Sequence, residues 1–228
     1  RDEPGGFYSA EDADSEGQEG KFYVWTEGQI RELLGQSASL FIDAFGVSAA
    51  GNFDAYSDHP SVAVNTLNQR GALAKIAARN NLTVAQLERS LEKARQTLFA
   101  VREKRIHPFK DDKILTDWNG LMIGALARAG LVLNRADYLE GARRAADFVL
   151  TRLVDPNGRL LHLYRHGETA VAGMLDDYAF MVFGLLELYQ ATFDERYLEK
   201  ALGLNEVMLA RFADPRGGFF AVAEDGEK

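Results

Sequence analysis

The chain has 228 residues, 46% of them hydrophobic, no cysteine and a formal net charge of −8. Without cysteine it can form no disulfide, thiol nucleophile or thiolate metal site. The acidic balance disfavours nonspecific binding to nucleic acid or to anionic membranes. The apolar run Gly120 to Ala127 in its repeated helices falls far short of the ~20 residues a membrane span needs. Length and apolar content suffice for one domain, residues 1–228, with a sizeable core. The expected compartment is the cytoplasm. The chain begins with Arg1 and opens on a turn motif, which reads as an excerpt of a longer protein.

Gly5-Gly6-Phe7-Tyr8 near the start resembles Gly217-Gly218-Phe219-Phe220 near the end, so the chain is expected to enter and leave at the tails of hairpins. The acidic loop Glu11 to Glu19 has the composition of a calcium loop. It lacks the glycine and closing glutamate an EF-hand requires, so a solvated loop and no metal are expected. Lys21 to Trp25 reads as a short strand, and Thr26 as the N-cap of a helix closed by Gly35. Phe41, Ile42 and Phe45 mark another short helix ending at Gly46. Asn52 to Leu67 is an irregular excursion of the length that often carries function. Thr83 and Gln86 form a capping box, with Leu82 and Leu87 as a hydrophobic staple. The inner stripe of that helix is Leu87, Leu91, Ala94, Leu98 and Val101.

From Asp117 the chain repeats. Asp117 matches Asp177, an offset of 60 (177 − 117), and Gly124 matches Gly184; further on the offset is 59, as in Tyr138 with Tyr197 and Gly158 with Gly217. Units of this size, at about 116–175 and 176–228, are the mark of helical-hairpin repeats. The first helix of each unit, Trp118 to Leu133 and Tyr178 to Ala191, is apolar on every face, with Arg128 and Glu187 as the only charges. Such helices need neighbours all round. The second helices, Tyr138 to Leu153 and Tyr197 to Phe212, are amphipathic and belong outside. Inner and outer helices in alternation predict an all-α fold, an α/α toroid with short β segments at its rim. The helices visible here do not close a ring of six hairpins. Apolar flanks are therefore expected to be exposed, and to be covered by self-association or by segments outside this chain.

Ile106 to Gly120 (IHPFKDDKILTDWNG), Gly5 to Thr26 (GGFYSAEDADSEGQEGKFYVWT) and Leu175 to Phe180 (LDDYAF) together resemble the helical region of the thioredoxin-domain-containing, spermatogenesis-associated-protein-like family. The resemblance spans nearly the whole chain. It implies a toroid of the six-hairpin glycosidase and sugar 2-epimerase kind, with the thioredoxin-like domain outside this chain. No cofactor is expected.

In each unit a charged motif opens the inner helix, which puts Asp117 and Asp177 on one rim with Trp118 and Tyr178 beside them. Aromatic faces can stack on a sugar ring, and carboxylates (Asp117, Asp177 and the adjacent Asp176) can act as acid and base. Asp at a first helical turn also caps free N–H groups, and repeated capping would leave the same pattern. Asn119, Lys113 and His107 approach the same rim, and Arg165 lies near the turn of the first unit. They are candidates for binding a small sugar ligand, or for loop hydrogen bonding. His162 and His166 flank that turn too. Glycines on either side place them on a strand or loop, and surface histidines without a role are expected. Two functions stay open: a sugar-processing toroid of hydrolase or isomerase type, and a non-catalytic helical scaffold.

Overall fold

A computed structural model describes residues 5–53 and 63–223. The chain divides into two compact units, Glu11–Lys110 and Arg1–Ala10 with Asp111–Lys228.

The unit Glu11–Lys110 is helical: α1 (Glu27–Leu34), α2 (Ala38–Phe45), α3 (Leu73–Arg79) and α4 (Val84–Arg102). Thr26 and Gln29 make a reciprocal capping box at the start of α1, and Thr83 and Gln86 do the same for α4. Gly46 ends α2 in the left-handed conformation. The buried stripe of α4, Leu87, Leu91, Ala94 and Leu98, packs with Trp25, Ile30, Phe41 and Ile76 into one core. Lys21 to Trp25 is not a strand. The N–H groups of Tyr23 and Val24 both turn back to the Gly20 carbonyl, and Trp25 alone pairs, with Asn65. The acidic loop contains a tight hairpin, Asp14–Ser15 against Gln18–Glu19. α3 carries no cap or clear stripe that would announce it in sequence, and part of the irregular excursion lies outside the described residues.

The second unit carries the repeat: α5 (Thr116–Val132), α6 (Ala136–Arg152), α7 (Leu175–Thr192) and α8 (Glu195–Phe212). Each successive pair is an antiparallel hairpin, and the inner helices α5 and α7 pack side by side. Two glycines permit this. A Cβ on Gly120 would stand 2.5 Å from the Phe180 carbonyl carbon, and one on Gly184 would stand 2.3 Å from the Gly120 oxygen. Arg128 and Glu187, the charges of the two inner helices beyond their first turns, find each other as a two-pronged ion pair at 2.8 and 3.1 Å. The outer helices lay small or apolar faces, Ala142, Ala146, Val149, Ala201 and Leu204, onto the same core. This is the hairpin arrangement of an α/α toroid.

The turns after α6 and α8 are copies. Asp155 and Asp214 each accept the N–H of the glycine three residues on, at 2.9 Å, and each uses its side chain to bind the N–H two residues on. After the first turn the chain forms a three-stranded sheet, Ile114–Leu115, Leu161–Arg165 and Glu168–Ala172. Leu121, Met122 and Phe183 leave an apolar flank of the inner helices exposed. Among the described residues no helix is long and apolar enough to cross a membrane.

Candidate functional site

Three elements of the repeat unit converge at the starts of the inner helices. Asp117 sits in the first turn of α5, Asp177 in the first turn of α7, and His162 on the strand Leu161–Arg165. Antiparallel hairpins of equal length return the chain to the same level, so Asp117 and Asp177 share a rim.

Asp177 is fully buried, at 0% exposure. Its Oδ2 accepts the Met174 N–H at 2.7 Å, closing the start of its own helix. Its Oδ1 accepts the Asp117 N–H at 3.0 Å, capping the neighbouring helix as well. The imidazole of His162 completes the set, with Nδ1 at 3.0 and 3.1 Å from the two carboxylate oxygens. A carboxylate only accepts, so this contact assigns the proton to Nδ1 and turns Nε2 away from Asp177. Burial raises the Asp177 pKa above the ordinary carboxylate range. The Met174 N–H and His162 pull it back, and the charge of Asp117 adds to the rise.

Asp117 is half-buried, and its Oδ1 accepts the Trp118 N–H at 2.8 Å. Trp118 is 51% exposed, so an aromatic face stands open next to a carboxylate. Asp117, His162 and Asp177 are also the one group of three among the described residues whose donor atoms, all within 4.8 Å of one another, could hold a metal ion. Two backbone N–H groups and the imidazole already satisfy the Asp177 oxygens, which makes the arrangement complete without an ion.

The other expected site residues disperse. Asn119, 1% exposed, works structurally: its side chain pairs both ways with the backbone of Phe7, at 2.8 and 3.1 Å, and donates to the Leu115 carbonyl. Tyr178 is buried rather than open for stacking, with its hydroxyl accepting the Leu160 N–H at 3.0 Å and its ring against Phe212. Asp176 is exposed in the first turn of α7. Lys113 pairs with Asp111 at 3.1 Å and Arg165 with Asp112 at 2.6 Å. His107 belongs to the other unit, where its ring lies 4.6 Å from that of Phe22. His166 also leans on Asp112, at 3.2 Å, from an exposed turn. The expectation for His162 needs correction. It is not an idle surface histidine, because its strand folds back over the start of α7 and delivers the ring to Asp177. Its spacing from Asp177 gives no periodic signal, and only the hairpin that returns the strand brings the two together.

No family model matches the chain. Among curated proteins it is 35% identical over 247 residues to spermatogenesis-associated protein 20 of Homo sapiens, covering 96% of this chain and 31% of that protein. The chain corresponds to a region of the spermatogenesis-associated protein 20 family. The mouse protein of that name is likewise 35% identical, and a Caenorhabditis elegans protein is 33% identical over 97% of the chain and 34% of its own length. The chain thus spans about a third of the length of these relatives, and the trio at the rim lies inside the stretch that spermatogenesis-associated protein 20 matches. Among solved structures, the chain is similar to cellobiose 2-epimerase from Bacillus thermoamylovorans, at 11% identity and TM-score 0.46 over 96% of this chain and 53% of that one. It is also similar to the GH76 α-mannanase of Bacteroides thetaiotaomicron, at 19% identity and TM-score 0.43 over 62% and 42%.

Proposed function

We propose that this region binds and processes a carbohydrate at the rim of the inner helices, with Asp117 and His162 as the acid/base pair and Trp118 as the stacking surface. The observation that carries this reading is the buried Asp177, which holds the His162 imidazole by Nδ1 and leaves Nε2 for proton transfer. Asp177 itself touches no ligand in this scheme: it is a positioning residue, and the catalytic carboxylate is the half-exposed Asp117. Trp118 offers a ring face of the kind that packs on the apolar side of a pyranose. Hydrolysis would need two carboxylates facing the sugar, whereas one carboxylate and one imidazole suit proton transfer at a sugar carbon, so an isomerase or epimerase reaction is the better fit.

A second reading, a helical scaffold without catalysis, is favoured by one specific observation. Asp177, Tyr178 and Asn119 are buried and spend their polar atoms on the fold, as a rim filled by side chains would require. A thermal-shift screen of the whole protein against mono- and disaccharides separates the two. The carbohydrate reading expects stabilisation by at least one sugar, lost in Trp118→Ala. It also expects turnover of that sugar to fall by roughly 100-fold or more in His162→Gln and Asp117→Asn. No stabilisation by any sugar leaves the scaffold.

A further inference from the structure

Beside the repeat turns lies a cavity of about 660 Å3, within the size range of small-molecule sites. Its walls are mostly apolar, with Leu160, Met174, Phe212 and Val222 among them. Two arginines line it from different repeats, Arg159 from the turn after α6 and Arg211 from the last turn of α8. Tyr178 lines the same space and feels both charges: each arginine pulls its phenol pKa down, against a burial that leaves it raised. Among the described lining residues, Asp155 is the one carboxylate. Its Oδ1 is already committed to the N–H groups of Asn157 and Arg159, both at 2.8 Å, and these bonds hold its pKa low. Among the described residues the lining thus has two arginines and one carboxylate, the latter bound to its own turn, in a chain whose net charge is −8.

We infer that this cavity binds a small organic anion, its carboxylate or phosphate group held by Arg159 and Arg211 and its carbon skeleton laid against Met174 and Phe212. Guanidinium forks match both kinds of oxyanion in a two-pronged geometry, and an apolar surround strengthens the pairing. Both arginines keep other interactions in the structure, so binding is an exchange of partners. The inference does not depend on the sugar chemistry proposed for the rim.

Isothermal titration of the whole protein with glucuronate, glucose 6-phosphate and neutral glucose tests it. One anion should bind, and neutral glucose should bind at least about 10-fold more weakly or not at all. Affinity for that anion should drop by about 10-fold or more in Arg159→Gln and in Arg211→Gln. Whichever anion binds more tightly tells a carboxylate from a phosphate site. Thermal melts confirm the fold of each variant; should Arg211→Gln melt early, Arg159→Gln with Arg159→Lys carries the test, because lysine keeps the charge and loses the fork. Asp117→Asn, which disables the rim, should leave anion affinity unchanged, so the two proposals fail separately. Binding of neither anion, or anion binding undiminished by both glutamine variants, overturns the inference.

Discussion

The backbone N–H of Asp117 donates to Oδ1 of Asp177 at 3.0 Å, so the carboxylate that opens one inner helix caps the next. Repeat-equivalent residues thus bond to one another, and one member of the pair is buried while the other is half-open. The two copies of the motif differ: Asp177 secures two helix starts and an imidazole, and the half-open Asp117 accepts the Trp118 N–H.

Removing the buried member should be costly. Asp177→Ala leaves the N–H groups of Met174 and Asp117 without an acceptor, and about 3 kcal/mol of stability should be lost in chemical denaturation. Asp177→Asn retains one carbonyl oxygen but turns an NH2 group toward a donor, so a smaller loss of about 1 to 2 kcal/mol is expected. Equal and negligible losses in both variants would show that the carboxylate does not hold the rim.

The pH dependence follows from the direction of the shift. The folded-state pKa of Asp177 lies above its ordinary value of 3.8, because burial penalises the charge. A raised pKa means that the folded state binds the proton more tightly than the unfolded one. The contribution to stability is therefore complete below about 3.8 and is lost as pH rises through the folded-state pKa. The groups that face this carboxylate are His162 and Asp117. Denaturation curves from pH 3 to 7 should show the stability of the native chain relative to Asp177→Asn shrinking over the window in which Asp177 ionises. A difference that grows across that window would contradict the burial argument.

The contact between inner helices gives a prediction of packing. Gly120→Ala places a methyl group against the Phe180 backbone, which cannot swing aside as a side chain would. A loss of about 1 to 3 kcal/mol is expected, and Gly184→Ala should behave alike. Making both changes should cost less than the sum, because α5 and α7 separate only once. Strict additivity in a double-mutant cycle would refute the shared close approach.

Asn119→Ala should release the segment around Phe7. The side chain holds both the N–H and the carbonyl of Phe7 from a site with no access to water, so a loss of about 2 to 3 kcal/mol is expected. Amide exchange at Phe7 should quicken as well. A stable variant with slow exchange at Phe7 would mean that the segment is held by packing alone.

Most of the helical scaffold was legible in the sequence because its signals are local. Thr83 and Gln86 announce α4 as a capping box, and the apolar stripe Leu87, Leu91, Ala94 and Leu98 tells which face is buried. The repeat offset from Asp117 to Asp177 is itself a statement about geometry, since equal hairpins return the chain to one level. The ion pair of Arg128 with Glu187 was not legible there, because the two residues stand 59 apart where the inner helices repeat every 60, and it forms only as the helices pack. The strand expected over Lys21 to Trp25 did not form, because its apolar residues satisfy a core through a turn on Gly20, and β-propensity records the burial and not the partner. The roles at the rim depend on which of two equivalent positions is covered, and that was decided by tertiary structure alone. The strand carrying His162 pairs with Ile114–Leu115 at the start of α5 and lays its imidazole on Asp177, which is buried while Asp117 stays half-open. Sequence supplied the two carboxylates; the asymmetry between them arises from a hydrogen bond across 15 residues (177 − 162) that exists only once the hairpin has folded back.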